Sequence, residues 1–339
     1  MPSKPKTIEH AFVGGLREDY FITAAGDVHL HKIGGNAVYA AVGARIWGES
    51  PGLIARVGHN YPAEWLEQLQ QRGLDTAGVT VISDAQDMRT FYAYQSLEER
   101  LDTDPAAHFA RVGQALPPEL ADYVSSTEGQ DERTRFGPLA VRPSEIPRHF
   151  LLARGIHLSP CEFVVHSTLP ATLRRSGVQI VTCDPSLRYM QPDFADEVKQ
   201  IVHRLDAFMP SELEVRSYLP RLGNDLWEAA EAFGAMGARY VVIKLGARGQ
   251  YVFETASGYK WHVPAYAARV RDVTGAGDAY CGGFIVGLTQ TEDPVEAALR
   301  GAVSASLVIE GTGALYALDS TPGLAQARLD SLRDAVRRV

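Results

Sequence analysis

Apolar residues in this chain gather into short blocks divided by polar, glycine-rich turns, and two periods alternate along it. Compact apolar runs at His10-Ala11-Phe12-Val13, Leu53-Ile54-Ala55-Arg56-Val57, Ile156-His157-Leu158, Ile180-Val181-Thr182-Cys183 and Tyr240-Val241-Val242-Ile243 predict inner strands. Helical stretches lie between them. Pro62 opens one with Trp65, Leu66 and Leu69 on one face, another spans 226–236, and Pro294 starts a third through Ala297, Ala298, Ala302, Ala305 and Leu307. An amphipathic closing helix is expected from Leu324 onward. Strands that alternate with helices and lack a polar face predict βαβ units and a mostly parallel sheet covered on both sides. Ligands of such sheets bind beyond the C-terminal ends of the strands.

Elsewhere the period shortens to two. In Asp27-Val28-His29-Leu30-His31-Lys32-Ile33 the alternation predicts a strand with one wet face and puts His29 and His31 on the same side. A third metal ligand is not evident nearby, so a solvent- or substrate-facing strand is expected. Thr90-Phe91-Tyr92-Ala93-Tyr94 likewise places the two tyrosine rings on one face. Residues 97–149 carry no apolar period. The polar run Ser125-Ser126-Thr127-Glu128-Gly129-Gln130-Asp131-Glu132-Arg133 and scattered prolines predict loops and short helices, either a functional lid insertion or a surface excursion.

Composition narrows the function classes. With 339 residues, 45% hydrophobic and 22% charged, the chain can bury a sizeable core. A net charge of −8 argues against nucleic acid as a main partner, though not against a nucleotide held by local geometry. No apolar run is long enough to cross a bilayer, so no membrane partner is expected. Met1-Pro2-Ser3-Lys4-Pro5-Lys6 lacks the apolar stretch of a secretory signal. Cys161, Cys183 and Cys281 are widely spaced, which suits reduced thiols in a cytoplasmic protein.

The most informative stretch is Asp272-Val273-Thr274-Gly275-Ala276-Gly277-Asp278, running into Ala279-Tyr280-Cys281-Gly282-Gly283-Phe284. It reads as a glycine turn opening directly into a helix. The first N–H groups of such a helix are unpaired and, with the helix dipole, bind anions. Asp278 is either a cap or a base held against that anion. The string resembles the C-terminal signature of the ribokinase-like (PfkB-type) carbohydrate kinases, Asp-Thr-x-Gly-Ala-Gly-Asp, departing only at Val273. The resemblance implies a three-layer αβα sandwich, a single domain over 1–339, with a small β lid from about 20–34 and 86–97 and an atypical insertion at 97–149. It also implies ATP and magnesium as cofactors, an anion hole from the backbone of Gly275, Ala276, Gly277 and Asp278 with free N–H donors from the last three, and Asp278 as the base.

Other stretches resemble the family more loosely. Asp19, following strand and glycines, stands where an aspartate binds sugar hydroxyls. On spacing alone it reads as a turn aspartate on the surface. Gly34-Gly35-Asn36-Ala37-Val38-Tyr39-Ala40 resembles a substrate-side Gly-Gly-x-x-x-Asn motif, with Tyr39 in the place of the amide. Tyr92 falls in the lid. Asp184-Pro185-Ser186-Leu187-Arg188 resembles Asp-x-Asn-x-Arg, which makes Arg188 a candidate for a phosphate or an acidic substrate; a surface salt bridge is the plainer reading. Ser211-Glu212-Leu213-Glu214 resembles Asn-x-x-Glu and makes Glu214 a magnesium ligand, unless Ser211 and the acids simply cap a helix. Lys244, Gly246, Gly249, Thr274, Ala302 and Gly313 fall on the nucleotide side. The loop at 309–314 is implied to lie beside the base and a monovalent cation such as potassium. Lid strands pair readily, so a homodimer through the lid is expected.

The expected reaction is transfer of the ATP γ-phosphoryl group to a hydroxyl of a small sugar, sugar acid or nucleoside. A non-catalytic nucleotide-binding relative is the alternative, against which the intact Asp278 argues. A dinucleotide-dependent oxidoreductase is disfavoured because no early Gly-x-Gly-x-x-Gly opens a helix. A P-loop kinase is disfavoured because Gly-Lys-Ser and Gly-Lys-Thr do not occur.

Overall fold

The computed structural model describes residues 8–222 and 225–339. The basic segment Met1–Lys6 discussed above lies outside the described residues. In chain order the strands are β1 (His10–Val13), β2 (Arg17–Ile22), β3 (Val28–Gly34), β4 (Gly52–Gly58), β5 (Asp75–Ile82), β6 (Arg89–Tyr94), β7 (Arg100–Leu101), β8 (Gly155–Leu158), β9 (Ile180–Cys183), β10 (Ala207–Phe208), β11 (Tyr240–Lys244), β12 (Gln250–Glu254), β13 (Tyr259–Val263) and β14 (Arg337–Arg338). Ten form one sheet in the order β14-β13-β12-β11-β10-β9-β8-β1-β4-β5. From β11 through β5 all pairings are parallel, and β12, β13 and β14 complete the edge antiparallel.

The inner strands bury both faces because successive side chains enter different cores. Phe12, Leu53, Ala55, Val57 and Val242 meet helices Asn36–Arg45, Ala276–Thr291 and Pro294–Val308, while Val13, Ile54, Ile156, Val181 and Val241 meet Phe163–Arg175 and Leu226–Ala235. This is the αβα arrangement. The small residues of Asn36–Arg45 serve another helix rather than the sheet. A Cβ on Gly43 would overlap the Ala279 carbonyl, and one on Gly282 would overlap the Ala40 carbonyl, so the two helices touch backbone to backbone. That contact fixes the helix that carries Asp278. The closing helix is short, Leu324–Leu332, and is followed by β14 at the sheet edge.

A second sheet, β3-β2-β6-β7, forms the lid. It begins at Arg17, and its fourth strand comes from the stretch read as an insertion. His29 and His31 do not share a face. His31 has a left-handed φ of 52°, and the β2–β3 register shifts opposite it. His29 stacks on Phe21 at 4.9 Å, whereas His31 meets the edge of Tyr20 and the Glu18 carboxylate. Tyr20 and Phe21 are consecutive strand residues on opposite faces, so the bulge cancels the expected alternation. The rest of the insertion covers the lid's outer face. Phe109, Leu120, Val112 and Tyr123 pack on Tyr20, Ile22, Phe91 and Ala93. Its last part, through Val141, Ile146 and Phe150, joins the main core.

Candidate active site

The lid and the C-terminal strand ends enclose a cleft of about 1470 Å³. Its floor is the start of helix Ala276–Thr291. Gly275 turns the chain with a left-handed φ of 75°, and a Cβ there would overlap the Tyr39 ring, so only glycine fits. The Ala276 N–H is taken by the Val273 carbonyl at 3.2 Å. This corrects the expectation of three free donors. The N–H groups of Gly277 and Asp278 have no acceptor among the described residues and remain for an anion. Gly277 also opens onto Lys244, whose Nζ lies 3.6 Å from where a Cβ would stand.

Acidic groups crowd this end of the cleft. Asp184, at the end of β9, is buried and binds the Lys244 ammonium; Cys281 donates to the same carboxylate oxygen at 3.6 Å. Its other oxygen, Oδ1, is buried without a partner. Burial, followed by repulsion from Asp184, pushes the Asp278 carboxyl up to about 7. The same two causes raise Glu214 to about 7. Burial works against the Lys244 charge, but Asp184, Cys281 and Glu214 together outweigh it and keep the ammonium protonated. Glu214 caps its own helix, accepting the Ser211 N–H at 2.7 Å and the Ser211 hydroxyl at 2.9 Å on Oε2. Glu214 lines the cleft, and Oε1 takes no part in the cap. Among the described residues no three His, Cys, Asp or Glu side chains form a ready metal cage. An orphaned Asp184 oxygen beside Glu214, with negative charge in excess, nevertheless fits a magnesium ion that keeps most of its water and phosphate ligands.

The opposite wall is lid. Asp19 lies on β2, buried to 2% exposure, its carboxylate over Gly34, where a Cβ would overlap it. The Gly35 N–H, presented by a φ of 97°, binds that carboxylate, while Oδ1 has no partner. Burial raises Asp19 to about 7 against the lowering effects of Gly35 and Arg17. Asn36 lines the cleft and is anchored through its amide, accepting the Gly15 N–H at 2.8 Å and donating to the Pro160 carbonyl. Tyr39 fills the space above Gly275, and its buried hydroxyl has no partner. Tyr92 and Tyr94 share the cleft face, and Thr274, placed by sequence on the nucleotide side, donates to the Tyr94 hydroxyl at 3.0 Å. Arg188 stands at the rim, its Nε donating to Thr127 of the insertion at 2.9 Å; no carboxylate lies within 4 Å of it among the described residues. The salt-bridge reading of Arg188 therefore does not hold.

Arg100 escaped the sequence reading. Its guanidinium lies 4.4 Å above the Tyr92 ring, and its charge lowers the proton affinity of Asp19, Asp184 and Asp278. A lone arginine in a two-residue strand has no periodicity to announce it. Asp184 was legible only as the first letter of a loose motif. On the far side Gly246 and Gly249 turn with positive φ after β11, and Ala302 lies at the cleft with Ala305, Ser306 and the unpartnered Tyr280 hydroxyl. Gly34 lies beneath Asp19, off the cleft surface. Gly313 is also off it, its N–H bound to the Asp272 carboxylate.

Comparison with known proteins agrees with this geometry. Residues 154–321 match the model of the pfkB family of carbohydrate kinases. The chain is 26% identical to a cytidine kinase of Thermococcus kodakarensis over 268 residues, covering 79% of this chain and 84% of that one. It is 28% identical to a 2-dehydro-3-deoxygluconokinase of Thermoproteus tenax, covering 82% and 79%. Among solved structures, a putative ribokinase II from E. coli in complex with ATP and Mg2+ superposes with a TM-score of 0.69 at 16% identity, covering 96% of this chain and 99% of that one. The Methanocaldococcus jannaschii nucleoside kinase, of the ribokinase family, gives 0.66 at 16% with the same coverage. Among the described residues no helix is long and apolar enough to cross a membrane. A glycine-turned helix end facing an acid-lined cleft, on this fold and with these relatives, belongs to an ATP-dependent phosphotransferase, and the chain is a ribokinase-like member of the pfkB family of carbohydrate kinases.

Proposed function

We propose that the enzyme phosphorylates a hydroxyl of a small sugar acid, with Asp278 as the base. The observation that carries the acid is the pair Arg100 and Arg188. Two guanidinium groups face the acceptor side, and among the described residues neither has a carboxylate within 4 Å. A planar fork with no carboxylate partner of its own at a cleft wall suits a ligand carboxylate. The alternative acceptor, a nucleoside, draws support from the tyrosine rings and from the cytidine kinase relative.

In this reading Asp19 Oδ1 accepts a hydrogen bond from one acceptor hydroxyl and the Tyr39 hydroxyl meets another. The reacting hydroxyl lies against Asp278. As its oxygen bonds to the γ-phosphorus, its proton passes to the Asp278 carboxylate and the bond from that phosphorus to the ADP oxygen breaks. A carboxyl group near 7 suits this transfer at neutral pH. The N–H groups of Gly277 and Asp278 hold the oxygens of the transferring group, with Lys244 beside them. Magnesium, when bound near Asp184 and Glu214, offsets the triphosphate charge.

ADP release is measured with 2-dehydro-3-deoxygluconate, D-gluconate, ribose and cytidine as acceptors, for wild type, Arg188→Ala and Arg100→Ala. Turnover of an acid, with both variants raising its KM at least tenfold and leaving the ATP KM unchanged, is the expected outcome. Turnover of cytidine alone, or a rise confined to the ATP KM, overturns the acid assignment.

A further inference from the structure

The insertion does more than cover the lid. It enters the cleft at a turn that is bolted in place on both sides. The Gln130 N–H donates to the Thr127 carbonyl at 3.2 Å, and the Gln130 carbonyl accepts the N–H of Phe163, the first residue of a core helix, at 2.7 Å. Its side chain is oriented as well. The Ser186 hydroxyl, buried at the end of β9, accepts the Arg188 N–H at 3.3 Å, so its own proton goes to Gln130 Oε1 at 2.7 Å. That bond turns Nε2 away from Ser186. Gln130 lines the cleft, and its Nε2 has no acceptor among the described residues. A few residues earlier, Thr127 holds Arg188 by its Nε and leaves the two terminal nitrogens of the fork.

We infer that Gln130 is a specificity-determining residue, whose Nε2 donates to an oxygen at the end of the acceptor that Arg188 meets. The Gln130 and Arg188 side chains thus present free N–H donors to the cleft. They fit an acceptor that ends in a carboxylate and oppose one that ends in a group with donors only, such as an ammonium. The amide comes from the insertion, 56 residues from Ser186, so the strand end can carry a small hydroxyl and still have an amide at its tip. The inference rests on the sugar-acid reading above and names the residue that completes it.

Two variants of the full-length enzyme test it, with the acid that wild type turns over as probe. Gln130→Met keeps the length and removes the amide. Gln130→Glu keeps the acceptor for Ser186, removes the donor and adds a charge. Both are expected to raise the KM for the acid, roughly tenfold to a hundredfold for a lost bond to a charged group and more for the glutamate, with the ATP KM and melting temperature near wild type. An acid KM within twofold of wild type in either variant overturns the donor role. A rise in Gln130→Met alone means the Ser186 tether matters, and a rise in Gln130→Glu alone means the added charge does. If wild type turns over no acid, the broader reading fails first and this one falls with it. If it turns over the acid and the variants do not respond, only Gln130 is wrong.

Discussion

Asp19 is a carboxylate that the empty enzyme holds at a cost, and replacing it separates stability from function. Burial raises its pKa from 3.8 to about 7. An acid raised in this way keeps its proton in the folded state while the unfolded chain releases it near pH 4. Stability therefore falls as pH rises from about 4 to about 7, and the whole penalty is present above 7. The displacement is about three pH units, and at about 1.36 kcal/mol per unit it amounts to roughly 4 kcal/mol. Asn has nearly the same shape, can still accept the Gly35 N–H, and carries no charge. Asp19→Asn is thus expected to stabilise the unliganded protein at pH 8 by up to about 4 kcal/mol, a rise of several degrees in Tm. Below pH 4 the gain vanishes. The same variant raises the acceptor KM, because a hydroxyl that donated to Oδ1 now faces an N–H. Thermal unfolding followed by circular dichroism from pH 4 to 8, beside steady-state kinetics, reads both effects. A Tm difference that does not change with pH, or a loss of stability at pH 8, would refute the reasoning.

Glu214→Gln should raise the magnesium concentration needed for half-maximal rate at fixed ATP, since Oε1 is the atom left over from the helix cap; superimposable titrations would remove Glu214 from the metal site. The lid's outer apolar face is filled by Phe109, Leu120 and Tyr123 of the same chain, so sedimentation at micromolar concentration should give a monomer, contrary to the dimer that lid strands alone imply. A stable dimer would show that another part of the lid is the pairing surface.

The glycine signature was legible because each of its letters answers a local demand. Gly275 needs a positive φ with a ring pressed against it, and Asp278 must follow within the first helical turn. Local demands also gave the inner strands, the Tyr92–Tyr94 face and the Ser211 cap. What escaped depends on geometry that one segment does not encode. The bulge at His31 rests on pairing with β2, and a single residue out of register reverses the face of everything beyond it. Asn36 has the chemistry of a substrate ligand, but contacts with Gly15 and Pro160, distant in sequence, already engage one lone pair and one N–H of its amide. The contacts that bring the insertion to the cleft, Thr127–Arg188 and Gln130–Ser186, join residues 61 and 56 apart, in a stretch with no period to read.

The central claim is that Asp278 takes the proton from the acceptor. The direct measurement is kcat of Asp278→Asn at saturating ATP, magnesium and acceptor, together with its affinity for magnesium-ATP by calorimetry. Asp278 is held by the helix start, so, if it is the base, kcat should fall by about 10²–10⁴ with nucleotide affinity within a few-fold of wild type. In wild type, kcat/KM should rise with pH to a plateau above about 7, where the carboxyl group has lost its proton. A variant with kcat near wild type would contradict the account, whatever its affinity for ATP.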